Sequence, residues 1–176
     1  MLHLLTPHLF VESVLDLDPR RLSALEIDAL LLDVDCTLKR YREEQVAADV
    51  RHWIEQLRSA GIGLCLVSNG RRRRIARLAE SLQLTFVAMA FKPLPRACRR
   101  AVREGGFRRD RTAMVGDQVF ADVVAARLAG LTAILVRPIH PEDEPWPTRL
   151  KRPLERFVLR RVLPAESSDG KRGAPS

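Results

Sequence analysis

Cysteine, aromatic side chains, acidic residues and long apolar runs are all scarce in this chain. The three cysteines, Cys36, Cys65 and Cys98, are odd in number and scattered, with no CxxC pair. That argues against a disulfide framework or a cysteine-ligated zinc site and fits a reducing compartment. Aromatics make up 5% of the residues, too few for the stacking platform on which single-stranded nucleic acid is usually held. The longest apolar runs, such as Phe86–Phe91, fall far short of the roughly 18 residues of a membrane span. The opening MLHLLTPHLF has neither the basic start nor the long apolar stretch of a signal peptide. The expectation is a cytoplasmic protein with no integral span, able to sit peripherally on the inner face of a membrane.

The shortage of acid leaves a surplus of base. Thirty Lys and Arg against 22 Asp and Glu give a formal net charge of +8. Such a balance favours anionic partners, whether nucleic acid, anionic lipid or a phosphorylated substrate. Apolar residues reach 46% of 176, enough for the core of one domain.

Short, continuously apolar runs alternate with helical patterns. Strands are expected at Ala29–Val34, Gly63–Val67, Thr85–Ala88, Thr112–Val115 and Ala133–Val136, each apolar throughout as in strands covered on both faces. A helix is expected through Val46, Val50, Trp53, Ile54 and Leu57, stopping at Gly61, and another through Ile75, Leu78, Ala79 and Leu82. Two more are expected from about Pro95 to Glu104 and from Val119 to Ala129, closed by Gly105-Gly106 and by Gly130. A short N-terminal helix should start at Asp18-Pro19, with Asp as cap and Pro at the first helical position. This alternation predicts an α/β fold with a parallel sheet of about five strands flanked by helices. The expected domain spans 1–163. It begins with an N-terminal extension, 1–28, and ends in a basic helix, 148–163; a small, polar, disordered tail follows at 164–176.

The ends of these strands carry the chemistry. After the first come Asp33, Asp35 and Thr37; after the second, Ser68, Asn69 and Gly70; just past the third, Lys92; after the fourth, Gly116, Asp117 and then Asp122. In a parallel sheet all of them belong to the carboxyl edge, where functional groups collect. Two carboxylates one residue apart make sense around Mg²⁺, which prefers carboxylate, water and phosphate oxygens and removes their repulsion. One carboxylate can attack phosphorus, and the other can protonate the leaving oxygen and later activate water. Lysine, hydroxyl and backbone amides can bind the charge on the transferring phosphoryl group.

In order and spacing, DVDCT, VSN, FKP and GDQVFAD resemble the four motifs of the haloacid-dehalogenase superfamily of phosphatases. TPHLFVESVLDLDP, the KP pair and the basic exit segment further resemble its capless YqeG-type branch, which includes phosphatidylglycerophosphate phosphatases. The resemblance implies a Rossmann-like fold and an aspartyl-phosphate mechanism. It implies Asp33 as nucleophile and Asp35 as general acid/base, with the Asp35 backbone carbonyl on Mg²⁺. Ser68 would bind a phosphoryl oxygen, and Lys92 would neutralise the phospho-aspartate. Asp117 and Asp122 would complete the metal site with Asp33 and Asp35. Thr37 would support the loop after the nucleophile and, with Asn69 and Arg71, border the substrate. Cys36 departs from the pattern, since relatives usually carry Asn there. A thiol nucleophile is not expected, because the neighbours of Cys36 are acidic and His52 lies mid-helix.

About 30 residues separate Thr37 from Ser68 and about 23 separate Ser68 from Lys92. One helix and one strand fill each interval, leaving no room for a cap domain. An open site suits a phosphate presented by something large. The leading expectation is hydrolysis of phosphatidylglycerophosphate to phosphatidylglycerol. The alternatives are a nucleic acid end, a sugar phosphate, or a non-catalytic interaction module on the same fold. Two basic features stay open in the sequence. Arg71–Arg74 is either a solvated helix face or an anion-collecting rim. Thr148–Leu163 either packs on the sheet or lies on anionic lipid.

Overall fold

The computed structural model describes residues 2–143 together with Pro153 and Glu155. The expected basic helix and tail therefore lie, apart from those two residues, outside the described part. A single six-stranded sheet organises the rest: β1 (Leu9–Val11), β2 (Ala29–Leu32), β3 (Gly63–Val67), β4 (Thr85–Val87), β5 (Thr112–Gly116) and β6 (Thr132–Val136). All pairs are parallel and the order is β1-β6-β5-β2-β3-β4. The helices between them are α1 (Pro19–Ala24), α2 (Ala48–Ser59), α3 (Arg72–Leu82), α4 (Arg96–Gly105) and α5 (Val124–Ala129). No cap domain interrupts the described residues.

The sixth strand is the departure from the sequence reading. β1 has three residues, flanked by His8 and Glu12, and pairs Leu9–Val11 with Ile134–Val136. Three residues show no readable period. The strand forms through its pairing with β6 and covers what would otherwise be that strand's open edge.

Successive strand residues serve opposite faces. Leu30, Leu32, Leu64, Leu66, Val115, Ile134 and Val136 meet the buried side of α2 and α3. Leu31, Cys65, Val67, Met114, Ala133 and Leu135 meet α4 and α5, where Ala97, Ala101, Ala125, Ala126 and Ala129 are small. The expected apolar stripes are the buried ones: Val50, Trp53, Ile54 and Leu57 on α2, and Ile75, Leu78, Ala79 and Leu82 on α3. Asp18 caps α1 by accepting from the Arg21 amide at 2.8 Å, with Pro19 in the first helical position.

This winding positions the site. From β2 the chain moves outward through β3 to β4, then crosses to β5 on the other side of β2 and out to β6. The direction reverses at β2. The carboxyl ends of β3, β2 and β5 therefore frame a crevice, the place where parallel sheets bind ligands.

Candidate active site

Asp33 follows the last residue of β2, and its amide still donates to the Val115 carbonyl on β5 at 2.9 Å. Its carboxylate is buried in the crevice. The chain then turns sharply. Cys36 has φ 62°, and its amide donates to the Lys39 carbonyl at 2.8 Å. Left-handed backbone is uncommon outside glycine and tolerated best by asparagine and aspartate. Cys36 occupies such a position fully buried. The turn brings Thr37 underneath the carboxylates. Its hydroxyl lies 3.2 Å from Asp33 Oδ2 and 3.1 Å from Asp117 Oδ1.

Lys92 arrives from the opposite side, on the loop between β4 and α4. Its Nζ lies 2.5 Å from Asp33 Oδ1, 2.6 Å from Asp122 Oδ1 and 2.9 Å from the Val67 carbonyl. All three ammonium protons are thus used inside a buried site. Asn69 fixes the lysine's backbone: it accepts from the Lys92 amide at 2.8 Å and donates to its carbonyl at 3.3 Å. Ser68 is buried at the end of β3, its hydroxyl oxygen oriented by the Gly70 amide at 3.0 Å.

The fourth side comes from β5. Gly116 is followed by Asp117, and a π-helical turn, Val119–Val123, swings Asp122 back over the strand end. A side chain at Gly116 would collide with the Asp122 carboxyl group, which explains that glycine. Asp122 also accepts from the Gln118 amide at 3.0 Å. Oxygens of Asp33, Asp117 and Asp122, all buried, lie within 4.8 Å of one another and could hold one metal ion.

Asp35 stands apart from that trio. Its carboxylate faces the cavity mouth, held by Lys39 at 3.1 Å and by both terminal nitrogens of Arg74, one at 2.6 Å. Arg74 in turn lies 5.9 Å from the Tyr41 ring centroid. The electrostatics of the two aspartates diverge. Burial pushes the Asp33 carboxyl up to about 6; Lys92 opposes this and the nearby Asp122 adds to it. Burial would raise Asp35 too, but the Arg74 hydrogen bonds and the Lys39 charge outweigh it and hold that carboxyl below its usual range. Asp122 and Asp33 together hold Lys92 charged despite its burial.

The cavity brings together Asp33, Asp35, Ser68, Asn69, Lys92 and Asp122 from the expected set. Asp117 and Thr37 sit behind them. Arg71 does not line the cavity: it is the exposed residue preceding α3. Arg74 takes the inward place, because it lies one turn before Leu78 on the buried side of α3. Gln118 and Phe120 lay within GDQVFAD without being singled out. Lys39 and Tyr41 carried no signal in the sequence. Nor did Glu155, which is buried and accepts from the Phe120 amide at 3.2 Å.

Comparison with known proteins gives the family and the fold. Residues 8–130 match the model of the haloacid dehalogenase-like hydrolases. The chain belongs to that family. Over 153 residues it is 30% identical to "Probable phosphatase YqeG" of Bacillus subtilis, covering 87% of this chain and 88% of that protein. It is 36% identical over 101 residues to a phosphoserine phosphatase of Thermus thermophilus, covering 52% of this chain and 41% of that one. The fold is similar to that of a cobalt-bound deoxy-D-mannose-octulosonate 8-phosphate phosphatase of Haemophilus influenzae. There the TM-score is 0.55 and the identity 18%, over 77% of this chain and 90% of that one. With phosphatase-named relatives and an intact set of family motifs, this haloacid dehalogenase-like hydrolase is a phosphatase.

Proposed function

We infer that this phosphatase works through an aspartyl-phosphate on Asp33 with Mg²⁺, and that its substrate is phosphatidylglycerophosphate. The observation that carries the mechanism is the buried Lys92 ammonium shared between Asp33 and Asp122 beside Thr37 and Asp117. A carboxylate in that setting is held rigidly and has one face toward the open cavity. The three-carboxylate cluster fits a hard divalent cation of the Mg²⁺ type by its all-oxygen donor set. When bound, Mg²⁺ would draw the phosphate in and screen its charge from the carboxylates.

Asp33 attacks phosphorus as the ester oxygen leaves. Ser68 and Lys92 hold phosphoryl oxygens as charge redistributes. Asp35 supplies the leaving-group proton and then takes one from the hydrolytic water. In the substrate-free arrangement Arg74 grips Asp35 and keeps it ionised. An arriving phosphate competes for Arg74, and its release lets the Asp35 carboxyl rise toward the protonated form that the first step needs.

The lipid assignment is supported by the resemblance of TPHLFVESVLDLDP and the KP pair to the YqeG-type branch and by the absence of a cap among the described residues. The formal charge of +8 also favours an anionic surface. No helix among the described residues is long and apolar enough to cross a membrane. The test is phosphate release from phosphatidylglycerophosphate in mixed micelles, with Mg²⁺ and with EDTA, for wild type and Asp33→Asn. Release that needs Mg²⁺ and Asp33 upholds both parts. Mg²⁺-dependent turnover of an aryl phosphate alone keeps the mechanism and overturns the lipid.

A further inference from the structure

The three most exposed large apolar side chains among the described residues fall within six consecutive positions: Met89 at 54%, Phe91 at 66% and Leu94 at 53%. They surround Lys92, which is 7% exposed and reaches into the site. This exposure does not reflect a loose segment. The Met89 amide donates to the Gly70 carbonyl at 3.1 Å and Ala90 to the Ser68 carbonyl at 3.0 Å. Asn69 clamps Lys92, and the Leu94 amide donates to the Phe91 carbonyl at 3.0 Å. Met89 and Phe91 have φ 50° and 51°, a left-handed backbone that side chains rarely adopt. The loop is thus built so that Lys92 points in while its apolar neighbours point out.

The surroundings select the partner. Residues 71–103 contain nine arginines and a single acidic residue, Glu80. Arg71, Arg72 and Arg73 are exposed at the start of α3, and Arg96 is exposed at the start of α4. α3 follows the carboxyl end of β3, and α4 follows the Lys92 loop that leaves the carboxyl end of β4, so these cations are joined to the same edge of the sheet as the loop and the site. Cations at a helix N-terminus oppose the helix dipole, and an external anion relieves that conflict. Exposed apolar side chains on either side of the site residue Lys92, in a segment rich in exposed arginine, match a bilayer with anionic headgroups: acyl chains for the former, phosphates for the latter.

We propose that Met89, Phe91 and Leu94, with the arginines at the starts of α3 and α4, dock the enzyme on an anionic lipid bilayer. In this pose the cavity mouth faces the headgroups. The proposal rests on the lipid reading above, and it names the surface that reading requires.

Sedimentation with vesicles tests it separately from catalysis. Wild type should pellet with equimolar phosphatidylglycerol–phosphatidylcholine vesicles and far less with phosphatidylcholine alone. The triple variant Met89→Ser, Phe91→Ser, Leu94→Ser should lose at least about tenfold in partitioning. It should keep wild-type turnover of p-nitrophenyl phosphate, which also shows that it folds. Arg73→Glu with Arg96→Glu should weaken binding further in low salt than in high salt. Equal pelleting of wild type and triple variant overturns the proposal. So does a wild type that fails to pellet, including one in which the apolar trio instead drives self-association on size exclusion. Binding without release of phosphate from phosphatidylglycerophosphate sinks the substrate and leaves the surface standing. Equal release by wild type and triple variant on vesicles sinks the surface and leaves the substrate.

Discussion

Two charge clusters share one cavity and are built on opposite terms. The inner cluster joins Lys92 to Asp33 and Asp122, with Lys92 and Asp122 side chains 2% exposed and Asp33 8%. The outer cluster joins Asp35 to Lys39 and Arg74, and the Arg74 side chain is 37% exposed. Inside, two carboxylates compete for one ammonium, so negative charge is left over and a cation is welcome. Outside, two cations share one carboxylate, so positive charge is left over and an anion is welcome. A phosphate ester with a divalent cation supplies what each cluster lacks. The site is therefore incomplete in two complementary senses. The inner cluster holds chemistry still, and the outer one is free to exchange partners.

Breaking the inner cluster should cost most. Asp33→Asn removes the oxygen proposed to attack phosphorus and should lower phosphate release at least about a thousandfold with the fold intact, measured by aryl phosphate turnover and thermal melting. Lys92→Met should lower turnover by about a hundredfold or more. Without divalent cation it also strands Asp33 and Asp122 as buried neighbours, a loss of about 3–5 kcal/mol in urea unfolding. Added Mg²⁺ should return part of that loss to the variant and less to wild type. An unchanged unfolding midpoint in EDTA would contradict the inner-cluster account.

The outer cluster should respond more mildly. Arg74→Ala removes a half-exposed ion pair, so the stability change should stay within about 1 kcal/mol. Its kcat/KM should fall about tenfold, and the rise of Asp35 toward an ordinary carboxyl should move the alkaline limb of the kcat/KM profile upward, because the first step needs Asp35 protonated. The conservative variant Arg74→Lys should recover less than half of what the alanine variant loses, since a point charge cannot make the bidentate contact. An unshifted alkaline limb would separate Arg74 from Asp35 function.

The smallest effects belong to stability against pH in EDTA, and they carry opposite signs. Folded Asp33 holds its proton more tightly than the unfolded chain, with a value raised from 3.8 to about 6. Its contribution is full below pH 3.8 and is lost as pH rises through about 6. Folded Asp35 holds its proton less tightly than its ordinary 3.8. Its contribution is full above that value and is lost as pH falls through the lower folded value. In denaturant titrations, Asp33→Asn should therefore flatten the decline on the rising side, and Asp35→Asn the decline on the acid side. Matching pH curves for the two variants would erase the distinction between the clusters.

Much of this was legible beforehand, for particular reasons. Leu30, Leu31 and Leu32 announce a strand covered on both faces because no polar residue interrupts them. Val50, Trp53, Ile54 and Leu57 announce α2 because a helix repeats every 3.6 residues. Asp33, Ser68, Lys92 and Asp117 could be found because each follows an apolar run. Arg71 and Arg74 could not be told apart, since both belong to one run of four arginines and the difference is where α3 begins. Lys39, Tyr41 and Glu155 carried no local mark.

The alternation of strands and helices, and the identity of the groups at the strand ends, are written in the order of the residues. Both follow from side-chain period and from the rule that polar residues interrupt buried runs. Folding in three dimensions settled which carboxylate shares Lys92 and which is held by Arg74. It also set Asn69 against Lys92 and turned Met89, Phe91 and Leu94 outward. Those outcomes depend on distances between residues far apart in the chain and on backbone turns such as those at Cys36 and Phe91. No local pattern encodes them.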